Sequence, residues 1–375
     1  MVQFNDAVAL KFKGKVHLFT DKTGKDVYWH LSFVARKASK EKGEDGSSVF
    51  KLRDEVREGF EKLPEERRKK FEQMYLEQKE KSAMNNKISL ESNPKEKEWL
   101  EKLLKSRQII LTGAPGTGKS YAAYKIANAL TENKSENIEF VQFHPSMDYT
   151  DFVEGLRPIK GDNGQIGFER RDGIFKAFCK RALEKNQEKF VFIIDEINRG
   201  DISKIFGELF FAIDPSYRGE KGKITTQYQN LVESDDSYAD GFYIPENVYI
   251  IGTMNDIDRG VESMDFAIRR RFTWIEVNPE DTQSMLDSEI SEYAKKAKEK
   301  MGALNNVISA NPSLGKAYQI GAAYFLRLRR EELKGDFAAL WVYHLEPLLR
   351  EYLRGDPRAE EFLAEMKKAY NAERE

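Results

Sequence analysis

QIILTGAPGTGKS, Gln108 to Ser120, is the stretch that decides how this chain folds. The apolar run Ile109 to Leu111 reads as a buried strand that empties into a glycine-rich loop, and the amphipathic run Tyr121 to Leu130 reads as the helix behind it. Gly113, Ala114, Pro115, Gly116, Thr117, Gly118, Lys119 and Ser120 fit G-x-x-x-x-G-K-[ST], the phosphate-binding loop. Its glycines let backbone N–H groups close around phosphate oxygens, and the helix adds its positive end. Lys119 is placed for the outer phosphates, and Ser120 offers a hydroxyl to Mg²⁺. A plain glycine turn before a helix is the alternative, and the strand and helix on its two flanks argue against it.

Two further apolar runs extend the pattern. Phe190 to Ile194 (FVFII) reads as a central parallel strand buried on both faces, with Asp195 and Glu196 where it leaves the sheet. In a fold of this kind a neighbouring strand end lies beside the phosphates. Asp195 is then the metal residue, and Glu196 orients and deprotonates an attacking water. An acidic helix N-terminus is the plainer alternative. Val248 to Met254 (VYIIGTM) is another buried strand, ending in Asn255, whose amide could bond the terminal phosphate or the water. Asp258 and Arg259 lie just beyond, where Asn, Asp and Gly are also ordinary loop residues. Arg269, Arg270 and Arg271 follow a short helix, Met264 to Ile268, and precede a strand, Phe272 to Val277. They could satisfy the helix carbonyls or reach a neighbouring subunit's nucleotide.

The rest of the chain frames this core. Residues 1–94 read as a small α+β domain: strands at Ala7 to Lys13, Lys15 to Thr20 and Val27 to Arg36, a loop from Ala38 to Ser48, helices from Val49 to Lys81, and a linker from Ser82 to Pro94. Lys11, Lys13, Lys15, His17, Tyr28, Trp29, His30, Arg36 and Lys37 interleave charge with aromatics, which suits either a nucleic acid or a small core with solvated edges. Residues 95–278 read as the α/β nucleotide-binding domain. A second strand spans Ile138 to Phe143, and a hairpin is inserted around Gly161-Asp162-Asn163-Gly164. A helix is expected over Ile202 to Ile213, and a polar excursion over Asp214 to Pro245. Residues 279–375 read as a helical lid, with helices at Asp281 to Lys300, Ala338 to Leu353 and Pro357 to Ala372.

Charge is balanced, 61 Lys+Arg against 63 Asp+Glu, so no global field announces a nucleic-acid partner. One cysteine, Cys179, excludes an internal disulfide and a multi-cysteine zinc site. With no apolar run long enough to span a bilayer, a soluble cytoplasmic protein is expected, with no membrane partner.

Several blocks together resemble the AAA+ proteins, and within them the McrB-type motor subunits of modification-dependent restriction systems. The residues are GAPGTGKS, FHPSMDYTDFVEGLRP (Phe143 to Pro158), GIFKAFCKRA (Gly173 to Ala182), IIDEINRGDISKIFGELF (Ile193 to Phe210), FYIPENVYIIGTMNDIDRG (Phe242 to Gly260), DFAIRRRF (Asp265 to Phe272) and QIGAAYF (Gln319 to Phe325). The resemblance implies a ring, expected as a hexamer, that hydrolyses GTP with Mg²⁺ and drives a separate McrC-like nuclease on DNA. It maps the M-N-x-x-D-R-[ST] signature onto Met254, Asn255, Asp258 and Arg259, with Gly260 where the family has Ser. It makes Arg199, Arg269 and Arg270 candidate intersubunit arginines, and leaves Arg327 and Arg329 as lid candidates. No Asn-Lys-x-Asp guanine motif is present, Asn133-Lys134-Ser135-Glu136 being nearest, so GTP over ATP rests on the resemblance. No Pro-Asp dipeptide occurs, so the PD-(D/E)xK nuclease signature is missing in its strict form and, if DNA is cut, a partner is expected to cut it. A MoxR-like remodelling ATPase and a nucleotide-gated binding module are the competing readings; a metabolite kinase fits the arginine cluster and lid less well.

Overall fold

The computed structural model describes residues 16–20, 26–29, 38–42, 48–52, 93–160, 165–257 and 266–372. The chain divides into two units, 1–85 and 86–375. In the first, β1 (Val16–Thr20) pairs antiparallel with β2 (Asp26–Trp29), and β3 (Ala38–Lys42) with β4 (Ser48–Leu52). The second pair corrects the expected loop at Ala38 to Ser48 and the helix expected from Val49. Val49 and Phe50 favour a pleated strand, and the lysine-rich partner can join because the ladder is made by backbone groups. The strand expected at Ala7 to Lys13 and the helical stretch beyond Leu52 lie outside the described residues. So do Lys11, Lys13, Lys15, His30, Arg36 and Lys37.

The second unit opens with α1 (Pro94–Ser106), whose Pro94 sits in the first turn behind an Asn93 cap that accepts from the Lys95 N–H. What read as the end of a linker is therefore a helix start. Next come β5 (Gln108–Gly113), α2 (Lys119–Leu130), β6 (Ile138–Gln142), the antiparallel hairpin β7 (Glu154–Lys160) and β8 (Ile166–Asp172), and α3 (Ile174–Glu184). β9 (Phe190–Asp195), β10 (Val248–Asn255) and β11 (Thr273–Glu276) complete a five-stranded sheet of order β11-β5-β10-β9-β6, every pair parallel. Phe190 to Ile194 are at most 1% exposed, as a run apolar on both faces requires. This is the α/β fold with an inserted hairpin that the sequence predicts.

One further local expectation changes. The helix over Ile202 to Ile213 is broken into Ile202–Phe206 and Leu209–Ala212, because Gly207 takes φ 50° and a side chain there would meet the Tyr149 ring. The polar excursion carries short 3₁₀ turns and one isolated bridge, Ile224 to Phe242. The C-terminal helices, chiefly Ala294–Ala310 and Ala359–Asn371, gather their own core from Met285, Leu304, Phe325, Trp341, Leu349 and Tyr370. Among the described residues no helix is long and apolar enough to cross a membrane.

Candidate active site

Parallel register brings four strand ends to one side of the sheet: Asn255 stands opposite Gly113, Gly252 opposite Ile194, and Gln142 opposite Asp195. The loop after β5 therefore has the end of β10 beside it and the end of β9 one strand further on, so Asp195 comes not from the strand next to β5 but from the one after it. Gly118, at φ 87°, caps α2 with no side-chain hydrogen bond, and the first helical turn holds no acidic residue. Its orphan N–H groups and positive dipole end are left for an anion. Lys119, 6% exposed, donates to the Gly113 and Ala114 carbonyls at 2.9 and 2.8 Å, so its ammonium lies in the curl of the loop.

Beside it, the Ser120 hydroxyl donates to Asp195 Oδ1 at 2.6 Å, which places the two oxygens expected for Mg²⁺ in contact. The Thr253 hydroxyl donates to the same Oδ1 at 2.7 Å and accepts from the Glu196 N–H at 3.1 Å. Thr253 was not singled out from the sequence. The signal is there in retrospect: a buried threonine one residue beyond the Gly252–Ile194 pairing must fall beside Asp195.

Glu196 has φ 51° and ψ 48°, a left-handed conformation that a non-glycine residue adopts at a cost of about 1–3 kcal/mol. That turn swings its carboxylate away from the direction of β9. Its Oε2 accepts from Gln142 Nε2 at 3.1 Å and pairs with Arg199 Nε at 2.8 Å. Arg199, a candidate intersubunit arginine, thus engages the Glu196 carboxylate of its own chain. Asn255 is half-buried beside the loop. Asp256, next to it, has its carboxyl raised chiefly by desolvation, with Lys119 and Arg269 pulling the other way. Asp258 and Arg259 lie outside the described residues.

Arg269 and Arg270 are exposed at the end of the helix Phe266–Arg269. Because β11 runs parallel to β5 with Thr273 opposite Ile109, their backbone lies at the amino end of the sheet. Five strand steps, about 17 Å, separate that level from Gly113. Arg269 packs 4.9 Å over the Trp274 ring, whose indole N–H donates to the Arg269 carbonyl at 3.0 Å. The side chain of Arg270 has no hydrogen-bond or ion-pair partner among the described residues. Of the lid candidates, Arg327 contacts His344 at 3.0 Å and Arg329 pairs with Glu289 at 2.5 Å.

The lid meets the loop through residues that sequence reasoning left without a role. The Ala323 N–H donates to the Gly116 carbonyl at 3.0 Å, and Thr282 Oγ1 donates to the Thr117 carbonyl. A Cβ on Gly321 would lie 2.0 Å from Gly116 backbone atoms, so glycine is required for the approach.

Residues 108–272 match the AAA domain of the dynein-related subfamily, and residues 296–360 match the alpha-helical lid domain of McrB. The chain is 39% identical over 269 residues to the Type IV methyl-directed restriction enzyme EcoKMcrB subunit of Escherichia coli (strain K12), covering 69% of this chain and 56% of that one. It is 27% identical over 206 residues to the Type II restriction enzyme BsuMI component YdiS of Bacillus subtilis (strain 168), covering 48% of this chain and 60% of that one. The matches therefore span little more than half the length of these curated relatives. An AAA domain whose loop, acidic strand end and polar strand end converge as described, followed by a McrB lid, places the chain among the McrB-type AAA+ proteins.

Proposed function

We propose that the chain is the nucleotide-hydrolysing motor of a restriction system, turning over GTP in preference to ATP in a cytoplasmic ring, a hexamer, that drives a separate McrC-type nuclease on DNA. The contact of Ser120 Oγ with Asp195 Oδ1 at 2.6 Å, inside a phosphate loop and next to Glu196, carries the reading. A hydroxyl and a carboxylate are hard oxygen donors suited to Mg²⁺, which takes few protein ligands and completes its shell with phosphate and water. Among the described residues no cluster of three or more His, Cys, Asp or Glu is placed to hold a metal, consistent with that sparse mode. Bound there, Mg²⁺ would neutralise charge on the phosphate oxygens.

The chain's own groups supply the remainder. Orphan N–H groups of the loop and α2 hold phosphate, and Lys119 exchanges loop carbonyls for phosphate oxygens. Glu196 orients water and accepts its proton once Arg199 releases it, and Asn255 fixes the terminal phosphate or the water. Arg270, exposed and without a hydrogen-bond or ion-pair partner among the described residues, lies at the opposite end of the sheet and is the arginine suited to a neighbour's nucleotide. GTP preference and ring formation follow from the family resemblance, and nuclease and DNA partnership from the relatives being restriction-enzyme components.

The test is phosphate release from GTP and from ATP with and without Mg²⁺, alone and with the nuclease. Glu196→Gln should lose at least about a hundredfold in turnover while nucleotide binding and assembly persist. Absence of Mg²⁺-dependent hydrolysis of either nucleotide would sink the proposal.

A further inference from the structure

We infer that Gln108 and Arg218 are positioning residues for the arginine turn at 269–271, an inference that rests on the reading of that turn as acting on a neighbouring subunit. Gln108 is fully buried at the first position of β5, and Arg218 is 2% exposed. Arg218 Nη2 donates to Gln108 Oε1 at 2.5 Å, and Gln108 Nε2 donates to the Arg271 carbonyl at 2.6 Å. A guanidinium has only donors, so it forces the amide oxygen toward itself and the amide N–H toward Arg271. The relay has one orientation.

Nothing else explains the buried charge. Among the described residues Arg218 has no carboxylate within ion-pair distance, and its Nε and Nη1 make no hydrogen bond. Burial, reinforced by Arg107, pulls the guanidinium down to about 10, while Cys179 and Asp214 are too weakly placed to restore it. A buried unpaired charge costs several kcal/mol, and an apolar residue of similar volume would be more stable. What Arg218 secures is the carbonyl of Arg271, which Gln108 holds level with the start of β5. The Trp274 indole holds the Arg269 carbonyl. Arg270 lies between two fixed carbonyls.

Gln108→Glu separates positioning from folding. A carboxylate neutralises Arg218 but cannot donate to the Arg271 carbonyl. The variant should unfold at or above the wild-type temperature and bind GTP with unchanged affinity. It should lose about tenfold in kcat with KM unchanged. Mixing it with Lys119→Ala, which has a dead site but an intact arginine turn, should restore turnover per competent site. Arg218→Gln, which removes the enforced orientation, should give the same pattern at about threefold. Arg270→Ala mixed with Lys119→Ala is the control. If that control is rescued but Gln108→Glu is not, or if both relay variants stay within about twofold of wild type, the relay is wrong and the trans-arginine reading stands. If the control itself is not rescued, the trans-arginine reading fails and the relay fails with it.

Discussion

At the carboxyl end of the sheet, Ser120, Thr253 and Asp195 converge on one carboxylate oxygen within 2.7 Å, each supplied by the end of a strand or the start of a helix. At the amino end, Gln108 joins Arg218 and Arg271, partners 110 and 163 residues away, through a buried amide. The first end is assembled from polar groups that hydrogen-bond one another beside the loop. The second holds a charge out of water with a single partner. A site that must exchange ligands needs polar groups with replaceable partners, whereas a strut tolerates an unfavourable group whose geometry is unique.

The largest effect should come from the carboxyl end. Asp195→Ala removes the carboxylate proposed to hold Mg²⁺ and the acceptor shared by Ser120 and Thr253, so hydrolysis should fall about a hundredfold to a thousandfold. Thermal unfolding should change little. A comparable loss of melting temperature would mean that this end, too, is a structural device, and the contrast between the ends would break.

Gly321→Ala asks whether the lid belongs to the same end. A methyl placed 2.0 Å from the Gly116 carbonyl carbon has no flexible neighbour to displace. Either the lid separates or the loop distorts, and about 2–3 kcal/mol of stability should be lost together with nucleotide affinity. Calorimetry and fluorescent-nucleotide titration read the two losses. Loss of stability with unchanged affinity would show that the loop and lid are only packed together.

Thr253→Val sharpens the comparison further. The variant keeps shape and β propensity but drops the bonds to Asp195 and to the Glu196 N–H. Turnover at saturating nucleotide should fall about tenfold, the scale of one hydrogen bond to a charged group. The Mg²⁺ concentration for half-maximal rate should rise, since Asp195 loses an orienting partner.

Thr253 also marks where the sequence stops being legible. Gly113 to Ser120, Asp195, Glu196 and Asn255 could be read because each lies at the end of an apolar run, and parallel strands bring such ends together. Thr253 needed the register of β9 against β10, which the sequence does not print. The lid contact at Gly321 lies within the stretch Gln319 to Phe325 but has no chemistry to announce it, since glycine acts there by what it lacks. Gln108 and Arg218 carry no motif at all. Ala38 to Ser48 reads as a loop because polar residues and glycines outweigh a short β signal, Val49-Phe50, at its edge, whereas its first residues pair with that signal as a strand. Ile202 to Ile213 read as one helix because periodicity is blind to the close approach of Tyr149 at Gly207.

The smallest effect should come from a charge cluster at neither end. At the base of the inserted hairpin, Glu154 and Lys176 are fully buried and paired at 2.6 Å, and Arg170, Asp172, Lys180 and Asp236 continue the network. Burial alone would raise the Asp236 carboxyl. Bonds from Lys180 and the Tyr238 N–H, with the charges of Lys180 and Arg170, reverse that and hold it below its ordinary 3.8. The unfolded chain therefore binds this proton more readily, so the group stabilises the fold above pH 3.8, and that contribution is lost as pH falls through the lowered folded value. Asp236→Asn keeps the side-chain volume and gives up the charge. At pH 7 it should cost about 1 kcal/mol, at the low end for a bond to a charged group on a partly exposed side chain. The gap between variant and wild type, read from urea midpoints, should close as pH drops below 3.8, and turnover at pH 7 should be unchanged. A gap that persists in acid would mean that Asp236 acts through packing and its bond to Tyr238. A fall in turnover would tie the hairpin base to the chemistry and extend the functional region beyond the two ends of the sheet.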